Sequence, residues 1–215
     1  MKSGKKYLDQ NLQVNLMIMD IENLSIVRQT FANTVFTHKV QEVAAEFNGG
    51  NALKVKIANI AIVSAILILM FLQYLYPETV VLSYIASGVS VAEIIFLIIQ
   101  LTFSFEQQMI MHKNAALKYM GLRDRYRSLI ADIMNGSITT ESIKKQRDHL
   151  QHEYQVISEL APQTDSKEYT ATQKRLNKRG TVQGEEFSWS DAEIDHFLPE
   201  NLRLNKAFLA RGIHP

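Results

Sequence analysis

Ile57–Tyr76 reads IANIAIVSAILILMFLQYLY, and Val80–Phe103 reads VVLSYIASGVSVAEIIFLIIQLTF. The first run holds 20 residues without a charge. At about 1.5 Å per helical residue it covers roughly 30 Å, the thickness of a bilayer core. Tyr74 and Tyr76 stand at its end, where amphipathic rings favour the headgroup zone. Pro77-Glu78-Thr79 breaks the pattern. The second run carries one charge, Glu93. So short a link makes the two helices antiparallel neighbours.

Outside these runs the chain is ordinary. It has 215 residues, with 23 Lys+Arg against 22 Asp+Glu, and of those 45 charges only Glu78 and Glu93 fall within residues 57–105. About a quarter of the remaining positions are charged, as in soluble protein. The net charge of +1 excludes a polyanion binder driven by bulk charge, and no direct DNA binding is expected. Without a cysteine there is no disulfide framework, thiolate metal site or cysteine nucleophile. A signal peptide does not fit, because the first run starts about 55 residues into the chain with no n-region in front. A buried soluble hairpin does not fit two adjacent runs of full spanning length.

Lys54 and Lys56 precede the first run, and Lys113, Lys118, Arg123, Arg125 and Arg127 follow the second. No Lys or Arg lies between Ile57 and His112. This bias predicts a two-pass protein with both termini in the cytoplasm.

On a helical wheel at 100° per residue, Ser83, Ser87, Ser90, Glu93, Gln100 and Ser104 fall within an arc of about 140°. Gly88 and Ala92 lie opposite, and Ala61 and Ala65 form a similar small-residue ridge on the first run. Small residues let helix backbones approach closely. The expected arrangement packs those two small faces together and points the polar arc elsewhere. A central carboxylate costs about 3 kcal/mol or more to insert. Glu93 must therefore be protonated, hydrogen-bonded or in contact with water. Several copies in a ring would place the arc around a channel, with Asn59 and Gln73 adding to it. The competing reading makes the same residues interhelical hydrogen-bond glue.

Residues 1–54 read as helical, with Leu24, Val27, Phe31, Val35, Val40, Val43 and Phe47 at mainly helical spacing, and Gly49-Gly50 as an interruption. The interruption reads as a C-cap and turn or as a hinge. Beyond the membrane the second helix is expected to run on without a stop. Ala115, Tyr119, Leu122, Tyr126, Leu129, Ile130 and Ile133 form its apolar stripe up to Asn135-Gly136. Thr139 or Thr140 with Glu141 opens another helix, striped by Ile143, Leu150, Tyr154 and Ile157 and closed by Pro162. The segments are then 1–54, a transmembrane hairpin 55–105 (57–76 and 80–103), a helical hairpin 106–161 and a tail 162–215. In the tail, Lys174, Arg175, Lys178 and Arg179 make a basic patch, read as a ligand or lipid site or as a solvated helix face. Ser190-Asp191-Ala192-Glu193 has the capping-box pattern and opens a short helix, Asp191–Phe197, before Pro199.

No P-loop, G-x-G-x-x-G, G-x-S-x-G or H-E-x-x-H occurs. His149, His152 and Glu153 suggest two metal ligands but no third. No enzyme, cofactor or metal is expected.

Taken in order, the motifs resemble the SLATT proteins, two-helix membrane effectors of bacterial conflict systems. The resemblance rests on Thr37-His38-Lys39-x-x-Glu42, the hairpin, and His112-Lys113-x-Ala115-Ala116-x-x-Tyr119-x-x-Leu122. It continues through Arg125-Tyr126-x-Ser128-Leu129-Ile130-x-Asp132-Ile133, Arg147-Asp148-x-Leu150 and Ala161-Pro162-x-Thr164-x-Ser166-Lys167-x-Tyr169. It ends in Phe187-Ser188-x-Ser190-Asp191-x-Glu193-Ile194-Asp195-x-Phe197-Leu198-Pro199, which is similar to one SLATT subgroup. The resemblance implies a pore-forming or membrane-disrupting effector of antiphage defence that acts by abortive infection. It also implies a homo-oligomer controlled by a nucleotide second messenger or by a separately encoded sensor or reverse transcriptase partner. It supplies no catalytic residues.

The expected protein is thus all-α, a two-helix transmembrane hairpin in the bacterial inner membrane with cytoplasmic helices bundled on both sides of it in sequence. Its expected function is a gated pore that depolarises the membrane. The alternatives are a non-conducting, membrane-anchored scaffold that recruits a partner, and a small transporter subunit, which the lack of inverted repeats disfavours.

Overall fold

A computed structural model describes the backbone of residues 2–177 and 188–204, with side chains from Ile21 onward. Every regular element among the described residues is helical, as expected. They are α1 (Lys2–Leu75), α2 (Val80–Thr102), α3 (Phe105–Asn135), α4 (Thr140–Leu160), α5 (Ser166–Arg175) and α6 (Asp191–Phe197), then a 3-10 turn at Glu200–Leu202. The chain divides into two compact units. One combines residues up to Val43 with those from Lys113 onward, and the other is Ala44–His112.

The first unit is a helical bundle around one apolar core. The α3 stripe from Ala115 to Ile133 is buried throughout. From α1 come Leu24, Val27, Phe31 and Val40, and from α4 Ile143, Leu150 and Ile157. Local chemistry sets the helix ends. Gly136 takes a positive φ of 64°, which a Cβ would disfavour. That lets the Gly136 and Ser137 N–H groups return to the carbonyls of Ile133 and Asp132 and close α3. Thr139 caps α4 by accepting from the Ser142 N–H. Asp165 and Ser190 head full capping boxes on α5 and α6, with Glu168 and Glu193 as their reciprocal partners.

The segment 188–204 is held on α1 by polar contacts. Arg28 is 1 % exposed. Its guanidinium donates to Asp195 Oδ1 at 2.6 Å and more weakly to Asp191 and the Leu202 carbonyl. At the next residue, the Gln29 amide meets the Trp189 backbone in both directions, at 2.6 and 2.9 Å. The Trp189 indole N–H donates to Asn33 at 2.7 Å. Breaking a buried ion pair from one side leaves the other charge unpaired, at a cost of about 3–5 kcal/mol. Asp195→Ala should therefore loosen this segment. Trp189 is the single tryptophan and is buried, so its fluorescence emission should move to the red in that variant. An unchanged spectrum would show that Arg28 does not hold the segment.

The second unit is the hairpin. Both helices are long and apolar enough to cross a membrane. Large apolar side chains such as Leu67, Phe71, Ile94 and Leu101 are exposed on it, unlike those of a soluble core helix. α1 ends at Leu75, and the chain reverses through Tyr76–Thr79.

Two boundaries differ from expectation. Gly49-Gly50 does not interrupt α1, which is continuous from Lys2 to Leu75. At Gly49 packing is close, since a Cβ there would lie 3.0 Å from Met109 Sδ of α3. Nor does the second membrane helix run on. It stops at Thr102, Phe103 leaves helical geometry (φ −109°, ψ 78°), and α3 begins at Phe105. The Ser104 carbonyl accepts the Gln108 N–H and its hydroxyl donates to Gln107 Oε1. A serine favours such a helix start over a helix interior. Beside this break, Lys56 pairs with Glu106 at 3.0 Å. At Gly50 a Cβ would meet nothing within 4 Å, and alanine is worth about 1 kcal/mol over glycine inside a helix. Gly50→Ala should raise the thermal midpoint followed by circular dichroism. A lower midpoint would mean that α1 bends here.

Candidate functional site

The intramembrane polar residues form a seam within the second unit. Glu93 is the buried residue of α2, 6 % exposed amid apolar neighbours that face outward. Ser83, Ser90 and Gln100 are half-buried on the same side, and Ser87 is exposed. Across from them, Asn59 and Gln73 of α1 are half-buried together with Ile62, Ile66 and Leu69. Ser104 is half-buried at the break after α2. Ile62 and Glu93 stand equally far from the turn, so they share a level. Asn59 falls between the levels of Glu93 and Gln100.

This reverses the expected packing within one hairpin. Ala61, Ala65, Gly88 and Ala92 are all exposed, and a Cβ on Gly88 would meet nothing within 4 Å. The polar arc turns toward the neighbouring helix, and the small faces turn outward. The physical reason is that polar side chains facing hydrocarbon lose every partner, whereas small residues facing it lose only close contact.

The seam is incompletely satisfied. Both carboxylate oxygens of Glu93, Asn59 Oδ1, Gln73 Oε1 and Gln100 Oε1 are buried without a hydrogen-bond partner. Ser90 donates to the Ala86 carbonyl at 2.9 Å, and the Gln73 amide to the Pro77 carbonyl at 3.4 Å. Buried polar groups are rarely left unpaired, and such exceptions mark functional or unfinished sites.

Other candidates resolve as structure. Thr37 bonds the Tyr154 hydroxyl at 3.1 Å, Lys39 pairs with Glu42 at 2.8 Å, and Tyr119 bonds Ser158 at 2.9 Å. Arg147 reaches Asn23 at 2.8 Å. All but the Lys39–Glu42 pair, which lies within α1, join helices of the bundle. Glu153 pairs with Arg125, and no group of three His, Cys, Asp or Glu suited to a metal occurs among the described residues. Arg125, Lys145 and His149 border an open groove of about 430 Å³ between α3 and α4. Lys174 and Arg175 end α5, where cations complement the helix dipole. Lys178 and Arg179 lie outside the described residues. The sequence reading missed Arg28. Its spacing beside Val27 and Phe31 placed a cation in the apolar stripe and was the available signal.

An all-helical chain with two spanning helices and this intramembrane seam can be set against known families. The family model described as SMODS and SLOG-associating 2TM effector domain family 4 (SLATT_4) matches residues 24–193. The chain belongs to this SLATT family. It is accordingly a two-pass membrane effector of a conflict system. No curated protein and no solved structure matches it. The SLATT match takes in both helices of the hairpin and the bundle from Leu24 to Glu193, and so includes Arg28 but not Asp195.

The bundle should respond to pH through His38. Burial holds its imidazole below the ordinary value of 6.5; Glu42 opposes this, and Arg123 and Lys39 add to it. The unfolded chain therefore takes up its proton first as pH falls past that value. The stability contribution is complete above this pH and is lost below it. Thermal midpoints between pH 7.5 and 5.5 should fall, and His38→Gln should flatten the slope.

Proposed function

We propose that the chain is an antiphage effector that oligomerises into a pore and depolarises the bacterial inner membrane, killing the infected cell. The observation that carries this reading is Glu93, buried in an apolar hairpin with both carboxylate oxygens unpartnered. A single hairpin leaves that seam unfinished, and several copies can open it to water. The outward ridges of Ala61 with Ala65 and Gly88 with Ala92 then serve as faces where copies meet. Ser83, Ser87, Ser90, Glu93, Gln100 and Ser104 line the conducting state. The Lys and Arg bias at the hairpin ends supports cytoplasmic termini.

Gating follows from unequal affinity of a signal for closed and open forms. The signal is a nucleotide second messenger or a separately encoded sensor or reverse transcriptase partner. It acts on the cytoplasmic bundle, with Lys174, Arg175, Lys178 and Arg179 as an anionic ligand or lipid patch. The family description, SMODS and SLOG-associating, also supports a second reading, a non-conducting scaffold that recruits a defence partner.

Membrane potential in a bacterial host, followed with a voltage-sensitive dye, separates the two. Induced wild type, with its neighbouring genes and phage present, should depolarise the cells rapidly. Glu93→Ala at equal membrane abundance should slow this at least tenfold. Full protection of the culture without any depolarisation would favour the scaffold.

A further inference from the structure

The groove between α3 and α4 measures about 430 Å³, room enough for a small organic ligand. Tyr119 meets Ser158 and Arg125 meets Glu153, so the two helices run antiparallel in a fixed register. Arg125, Leu129 and Asp132 share one face of α3, and Lys145, His149 and Glu153 share one face of α4. The register sets His149 about level with Leu129, with Arg125 one turn to one side and Lys145 one turn to the other. Asp132 and Gln146 stand at the Lys145 end, and the buried Leu129 and Leu150 close the floor.

The polar groups on this rim are left uncommitted. Lys145 and His149 make no hydrogen bond or ion pair among the described residues. Asp132 does not pair with Lys145, and its carboxylate takes only a long contact, 3.5 Å, from the Ser137 hydroxyl. The Gln146 amide nitrogen donates to Ser142 at 3.3 Å, which leaves its oxygen to accept. Arg125 gives Nη2 to Glu153 and Nε to the Gly121 carbonyl, and its Nη1 has no partner among the described residues. Glu153 itself does not line the groove.

We propose that this groove binds the phosphate ester of a hydroxyl-bearing unit, as in the sugar phosphate of a nucleotide. The phosphate sits at the level of His149, within one turn of both Arg125 and Lys145, where N–H donors converge from both helices. The hydroxyls of the ester donate to Asp132 and to the Gln146 amide oxygen at the Lys145 end. Inorganic phosphate uses only the first half of this arrangement, and a neutral sugar only the second. The rim is exposed to solvent, so each contact is weak alone and the two halves must act together. The inference rests on the reading of the bundle as the place where a signal acts. It gives that signal a seat other than Lys174 and Arg175.

The test uses the full chain in nanodiscs of neutral phosphatidylcholine. Binding of adenosine monophosphate, glycerol phosphate and inorganic phosphate is followed by titration calorimetry, on variants that keep the wild-type circular dichroism spectrum. Wild type should bind adenosine monophosphate saturably and at least tenfold more tightly than inorganic phosphate. Lys145→Ala with His149→Ala should weaken both at least tenfold, and Asp132→Asn should weaken the nucleotide alone. Lys174→Ala with Arg175→Ala should change neither. Glycerol phosphate bound as tightly as the nucleotide supports the groove and makes a lipid headgroup its occupant. No saturable binding of either ester overturns the proposal, as does binding that survives the groove variants or is lost with Lys174 and Arg175 instead. Depolarisation of infected cells by a chain that binds neither ester sinks the groove and leaves the pore. Binding by a chain that never depolarises them keeps the groove and removes the pore.

Discussion

A bilayer offers a polar side chain no partner, and the fold of the membrane unit follows from that constraint. Two apolar helices joined by four residues must lie side by side. The face of α2 that carries Ser83, Ser90, Glu93 and Gln100 then has one refuge, the neighbouring helix. Turning inward removes it from hydrocarbon, yet both Glu93 carboxylate oxygens are left without a hydrogen-bond partner there. The same turn sends Gly88 and Ala92 outward, so the surface best shaped for close helix contact is left uncovered in one chain. Burying the polar face and exposing the contact face are two consequences of one rotation of α2 about its axis.

The bundle obeys the opposite economy. Its helices meet through ordinary apolar burial, and its polar groups are used sparingly as cross-ties. Arg28 is the costliest of these, because a guanidinium 1 % exposed must find acceptors or destabilise the core. Asp195, Asp191 and the Leu202 carbonyl supply them from the segment 188–204. The Ser190 and Glu193 capping box starts a short helix in that segment, which sets Asp191 and Asp195 one turn apart, both toward Arg28.

The spans and caps were legible in the sequence because each depends on few neighbours. The missing charges and Pro77 placed the turn, and α2 ends within one residue of the expected limit. Gly136, Thr139 and Ser190 act where their local chemistry places them. What was not legible depended on distant contacts. Gly49-Gly50 looks like a helix stop, but the helix runs through it and Met109 packs close to Gly49. Phe103-Ser104 lies in a stretch with no Gly or Pro to signal a break. For the polar arc, periodicity fixed which residues share a face, but it carries no information on what that face meets.

The turn at Tyr76–Thr79 holds four residues, with Glu78 as their one charge. So small a surface gives a receptor or a ligand little to grip.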